Sequence, residues 1–197
     1  MAGYSRVGGR WYYLLHPRPV YIVAAEAGGR LNFMAASWVM PFSEEPPRIV
    51  LALDKEAYTT QLLIEAGVFT VNVLPVEEKD FIYTAGTVSG RSVDKAKLLN
   101  AVFEPGEATG APRLRHPEPL GWIEARLHRL VGDAAEDVHL AVADVVAAYA
   151  REDLFNQRYG WELRRVRVAM HTAGRAFTTN NGLYVARKLA PEGRSRG

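Results

Sequence analysis

Residues 48–74 read RIVLALDKEAYTTQLLIEAGVFTVNVL. An apolar run of strand length, Arg48 to Asp54, precedes a segment with helical spacing, and a second strand-like run follows from Val68 to Leu74. In the middle segment Leu62, Leu63 and Ala66 fall on one side, Thr59 or Thr60 is the N-cap candidate and Gly67 is the stop. Whether this strand, helix, strand order repeats decides the fold class.

It does not repeat. VYIVAA (20–25), WIEARLHRLVG (122–132), VHLAVADVVAAYA (138–150) and RRVRVAM (164–170) also read as strands, and strand and helix do not alternate regularly among them. In the second of these, Ile123, Ala125 and Leu127 share one face and Trp122, Glu124, Arg126 and His128 the other, as in a strand wet on one side. Gly28-Gly29 and Gly132-Asp133 read as turns. Two more short helices are expected at PVEEKDFIYTAG (75–86) and SVDKAKLLNA (92–101), the second starting at Ser92. The Pro- and Gly-rich stretch 103–121 reads as a long surface loop. The sum is a mainly β chain, an antiparallel barrel with short inserted α-helices, and not a doubly wound parallel sheet.

The 197 residues, 48% of them apolar, suit a single globular unit over 1–197, with a solvated tail from about residue 187. Without cysteine there is no disulfide, thiol nucleophile or thiolate metal site, so any redox chemistry must come from a bound cofactor. The five histidines lack metal-ligand spacing, and no metal site is expected. A formal charge of +2 is too small to argue for nucleic acid, although Arg164 to Val168 is locally basic. No run approaches membrane-spanning length and no apolar leader opens the chain, so the expectation is a soluble, cytoplasmic protein.

Four groups of residues could carry chemistry. In NFMAASWVMPFS (32–43), Ala35, Ala36 and Ser37 lie between Asn32 and Trp38. Such a run lets a strand returning from Gly28-Gly29 pack closely, or leaves bare peptide groups for a flat ligand with polar edges. Tyr58, Thr59 and Thr60 at a helix start read as ordinary caps or as a phosphate site. Ser89, Gly90 and Arg91, with Lys95 a turn further on, offer a hydroxyl, backbone groups and two cations to one anion, or form a solvated loop. His139 shares a strand face with Ala141 and Ala143, which suggests open space before it.

NFMAASWVMPFSEEPPRIVLALDKEAYTTQLLIEAGVFTVNVLP (32–75) together with TAGTVSGRSVDKAK (84–97) resembles the flavin reductase-like family of FMN-binding split barrels, over about Pro19 to Val146. The resemblance implies a Greek-key split β-barrel with FMN along Ala35, Ala36, Ser37 and Trp38. Thr59, Thr60, Ser89, Gly90, Arg91, Asp94 and Lys95 would then hold the phosphate and ribityl chain, with Asn32 and Tyr58 as further cofactor-binding residues. His139 is similar to a family histidine that faces the flavin, and would be the catalytic residue; here GDAAEDVHL (132–140) inserts residues before it. Also implied are a homodimer and hydride transfer from NADH or NADPH to flavin. Electrons would pass on to free flavin, ferric iron, oxygen or a partner oxygenase. The alternative is a flavoredoxin-like electron carrier that does not oxidise NAD(P)H efficiently.

Overall fold

The computed structural model describes residues 3–184, so the tail expected from about residue 187 lies outside the described residues. The chain is mainly β, with antiparallel sheets and few helices. After a 3-10 turn, Trp11–Leu15, come β1 (Arg18–Pro19), β2 (Tyr21–Ala27), β3 (Arg30–Ala36), β4 (Val39–Ser43) and β5 (Arg48–Asp54). Helix α1 (Tyr58–Ala66), β6 (Val68–Val73), α2 (Lys79–Thr87) and α3 (Lys95–Leu98) follow, then β7 (Val102–Pro105), β8 (Pro112–His116), β9 (Gly121–Val131) and β10 (Val138–Ala150). Short strands β11 (Phe155–Asn156), β12 (Gly160–Trp161), β13 (Met170–Ala173) and β14 (Ala176–Thr178) end the described fold.

Seven strands form one antiparallel ladder in the order β3-β2-β6-β9-β10-β5-β4. Consecutive strands β3 and β4 therefore end at opposite edges, and among the described residues they do not pair with each other. One apolar cluster nevertheless draws on all seven: Val23, Phe69, Ala125, Ala141 and Leu51 are buried in it, with Met34 of β3 and Val39 of β4 packed against it. The sheet thus curls around that core as an open, unclosed ladder. Strand β2 reads apolar from Tyr21 to Ala25 because both its faces are covered there. Val23 and Ala25 point into the curl, while Ile22 and Ala24 pack with Phe33, Phe81 and Ile82 beneath α2.

Gly28 and Gly29, at φ +56° and +70°, make the β2–β3 hairpin turn. Helix α1 stops where expected, at Gly67 with φ 69°, but it starts a residue before either threonine. Its N-cap is Ala57, which has no side-chain cap bond. The helix expected from Ser92 is shorter: Asp94 is its cap, accepting from Lys97 N at 3.0 Å, because Ser92 is held in a turn onto the Ser89 carbonyl.

Three expectations are corrected. The stretch 103–121 is not a surface loop, since β7 and β8 pair within it. Thr70 Oγ1 donates to Pro112 O at 2.6 Å and Leu114 N to Asn72 Oδ1 at 3.0 Å, docking this hairpin on β6 with side-chain bonds. The outer face of β9 is consequently wet only in part: Arg126 and His128 are exposed as expected, but the hairpin covers the end at Glu124. Glu124 is fully buried, accepting from Ala108 N, Thr109 N and Thr109 Oγ1 at 3.0, 2.7 and 2.8 Å. Burial pushes its carboxyl up, but the Thr109 and Ala108 donors outweigh that and hold it below the usual carboxylate range. Finally, residues 164–170 are a turn and an extended piece in which only Val168, bridged to Pro75, and Met170 pair. Arg165 bonds Asp153 instead of joining a ladder. No helix among the described residues is long and apolar enough to cross a membrane.

Candidate functional site

Where β3 leaves the ladder, the start of α1, the end of α2 and the turn before α3 converge on a cavity of about 370 Å³. Its floor is the small-residue stretch. Ala35 and Ala36 close β3 opposite Ile22 and Tyr21, and Ser37 and Trp38 cross to β4, with Trp38 O accepting from Ala52 N at 2.9 Å. All four residues line the cavity. Close packing on β2 is thus observed, and it leaves space above the backbone of this stretch. Trp38 is a third exposed and meets Tyr12 of the N-terminal turn edge-on, ring centroids 5.8 Å apart.

Asn32, Tyr58 and Thr59 form a second side of the cavity. Asn32 Nδ2 donates to Thr59 Oγ1 at 2.9 Å, with both side chains buried. As α1 has no side-chain cap, the free N–H groups of its first turn open beside these residues. Thr60 is buried behind them, its hydroxyl unpartnered, and does not line the cavity.

Ser89, Gly90 and Lys95 form the third side. Ser89 shapes the turn through its carbonyl, which accepts from Ser92 N and Val93 N. Lys95 is only 4% exposed; its Nζ donates to Ala85 O at 2.9 Å and stands 5.4 Å from the Phe33 ring centre. Burial lowers its pKa to about 8, and no carboxylate pairs with it among the described residues. A buried ammonium without a counter-charge is costly unless an anion arrives. Arg91 does not line this cavity. It lies over the outer side of Tyr58, 5.2 Å from the ring centre, and faces a neighbouring cavity.

His139 does not itself line the cavity. Opposite Leu53 in the β10–β5 ladder, it shares its face with Ala141 and Ala143, which are fully buried in the core and leave no open space. Its Nδ1 is buried and unpartnered. Asn72, whose Nδ2 donates to Ile22 O at 3.0 Å and to Thr70 Oγ1 at 2.9 Å, is occupied in joining strands. The end of α2, Ala85 to Val88, also lines the cavity and was not anticipated. Its signal is the small pair Ala85-Gly86: a Cβ on Gly86 would stand 3.0 Å from that of Ala35, so α2 lies almost against β3.

These elements suit a flat molecule with a phosphate at one end: a bare backbone floor, uncapped N–H groups, the Asn32–Thr59 pair and one unpaired buried cation. Residues 13–170 match the model of the flavin reductase like domain. The chain is 29% identical over 170 residues to the uncharacterized protein YddH of Escherichia coli (strain K12), covering 85% of this chain and 89% of that one. Among solved structures it is similar to an FMN-binding protein from Thermus thermophilus with bound p-hydroxybenzaldehyde, at 25% identity, 95% and 100% coverage and a TM-score of 0.78. A flavoredoxin from Methanosarcina acetivorans shares the fold at 24% identity, 95% and 96% coverage and a TM-score of 0.81.

Proposed function

Because the chain belongs to the flavin reductase-like domain family, we propose that it is a split-barrel flavoprotein that binds FMN and oxidises NADH or NADPH. The observation that carries the cofactor is Lys95, a buried cation facing the cavity with no acid to neutralise it among the described residues. The FMN phosphate would sit on Lys95, Ser89, Gly90 and the first-turn N–H groups of α1, where hydroxyls, amides and an ammonium all favour an anion. The ring system would lie over Ala35, Ala36 and Ser37, with Trp38 at its border and peptide groups facing its polar edge.

Bound there, FMN supplies the redox step, taking hydride from the nicotinamide and passing electrons to an acceptor such as free flavin, ferric iron, oxygen or a partner oxygenase. Hydride transfer needs no acid or base from the protein. The chain's own residues bind the phosphate, set the plane of the ring and keep water from one face. A catalytic part for His139 also belongs to this proposal. It pairs in the ladder with Leu53, which does line the cavity. His139→Gln tests it: loss of NAD(P)H oxidation with unchanged FMN affinity supports the role, and unchanged oxidation removes it.

We further propose a cytoplasmic homodimer. Strand β4 is a ladder edge whose Met40 and Phe42 are 52% and 56% exposed. Met40 also rims an apolar groove of about 690 Å³ walled by Tyr21, Trp122, Tyr149 and Trp161. Large apolar area beside an unpaired edge is favourable to cover.

The deciding experiment is the visible spectrum of the purified protein with FMN, followed by anaerobic addition of NADH and then NADPH. Bleaching of bound flavin by one nucleotide supports the reductase and names its reductant. Flavin that binds and is bleached by neither turns the assignment to an electron carrier, and failure to take up FMN refutes both.

A further inference from the structure

The small net charge conceals an uneven distribution. Residues 26–162 hold 13 lysines and arginines against 21 aspartates and glutamates, whereas residues 1–25 and 163–184 hold seven arginines and no acid. The fold brings these two acid-free segments together. Strand β1 pairs with β13, placing Arg18 opposite His171, and Arg175 lies in the turn between β13 and β14. From Arg10 the contacts run on without a break. Its guanidinium stands 5.7 Å from the Tyr13 ring centre, Tyr13 lies 5.5 Å from His16, and His16 lies 5.7 Å from His171. Among the described residues no carboxylate pairs with Arg10, Arg18 or Arg175. These arginines line neither the flavin cavity, nor its neighbour, nor the apolar groove, so they do not converge on a small-molecule site.

This basic face adjoins the flavin position at two points. Tyr12 meets Trp38 at the border of the ring, and Arg175 stands 5.4 Å from the ring centre of Tyr83 on α2, the helix whose end lines the cavity. Between Arg10 and Arg18, Trp11, Leu14 and Leu15 are each more than half exposed. An apolar centre rimmed by arginines has the composition of a protein-binding surface.

We propose that this face docks an acidic redox protein beside the flavin. The redox character of the partner rests on the FMN reading above; its acidity rests on the charge of the face alone. A partner with carboxylates around an apolar patch meets the arginines at its rim and covers Trp11, Leu14 and Leu15 at its centre. The acidic remainder of the chain repels the same partner, so one division of charge both attracts it and selects where it lands. A protein seated on Trp11 and Tyr12 is brought up to Trp38 at the edge of the ring position.

The test is isothermal titration of the FMN-loaded full chain, at low ionic strength, with a plant-type ferredoxin as the acidic redox protein. The wild type is compared with the double variant Arg10→Glu/Arg175→Glu and with Arg158→Glu. Arg158 is likewise exposed and laid against a tyrosine, but it belongs to the acidic part of the chain. All three substituted arginines are exposed and outside the flavin cavity, so the fold is retained; circular dichroism checks this. The expected result is ferredoxin binding weakened at least about tenfold in the double variant and less than about twofold in Arg158→Glu, with FMN affinity unchanged in both. Equal weakening in Arg158→Glu overturns the inference, since that is a general charge effect. So does a wild type that ignores ferredoxin, whether the double variant then loses binding to phosphatidylserine vesicles, which assigns the face to a membrane, or loses self-association, which assigns it to a second copy. FMN taken up without ferredoxin binding refutes the surface alone. Ferredoxin bound by a chain that takes up no FMN refutes the flavin reading and leaves the acidic docking surface standing.

Discussion

Gly90 lies so close to the Asn32 carboxamide that a Cβ added there would stand 2.7 Å from Nδ2 and nearer still to the oxygen. Asn32 is itself fixed by its bond to Thr59, so the turn before α3, the strand β3 and the start of α1 are held at one point. Gly90→Ala forces the carboxamide aside and breaks that bond. We expect FMN affinity to fall by about tenfold, a loss of roughly 1.4 kcal/mol. Gly86→Ala, whose Cβ meets only the Ala35 methyl at 3.0 Å, should cost less. Flavin titration of both variants checks the order, and equal losses would refute it.

Lys95 gives the site a pH signature. Its pKa of about 8 lies below the 10.5 of the unfolded chain, so between those values the unfolded state holds more protons. Stability of the ligand-free protein therefore rises with pH across that window. A phosphate favours the ammonium, so FMN binding draws in a proton and weakens as pH rises past about 8. Lys95→Met should flatten both curves. Thermal melts and flavin titrations between about pH 7 and about pH 10 measure them, and an unchanged slope in the variant would exclude Lys95 as the source.

The floor tolerates no bulk. Ala36 lines the cavity and also packs against the main core, so a side chain built there has only the ligand's space to enter. Ala36→Phe should abolish FMN retention, whereas Ser37→Ala should weaken binding by less than about tenfold. Absorbance of the purified variants decides it: an Ala36→Phe protein carrying FMN at full occupancy shows that the ring lies elsewhere.

The β4 edge predicts the assembly. A charge at Met40 or Phe42, both exposed in the single chain, should leave the fold intact and convert dimer to monomer. Light scattering of Met40→Glu and Phe42→Glu measures the mass. A wild-type monomer, or variants that stay dimeric, would displace the interface from this edge.

Periodicity made the long elements legible. The core-facing residues Ile123, Ala125 and Leu127 of β9 were readable because apolar and polar residues alternate there. What escaped was set by distant partners. Glu124 reads as a solvent-facing residue until Ala108 and Thr109 are seen to fold over it from some fifteen positions upstream. Arg and Val at 164–168 resemble a strand, but Arg165 and Arg167 find Asp153 and Glu77 at the surface instead of a neighbouring ladder. The cavity floor was visible in Ala35 and Ala36. The contribution of α2 was not, because only the folded chain shows Gly86 against Ala35.

The bonds that tie Glu124 to Ala108 and Thr109 bear on how the protein opens. A buried carboxylate fixed by three donors cannot let the β7–β8 hairpin lift away alone without being stranded in an apolar wall. The amides of Val102 to His116, though joined to the main ladder only through side chains, should then exchange with solvent at the rate of whole-molecule unfolding and not as a fraying flap. Acid that protonates Glu124 would uncouple the hairpin, turning a segment that reports global stability into one that breathes by itself.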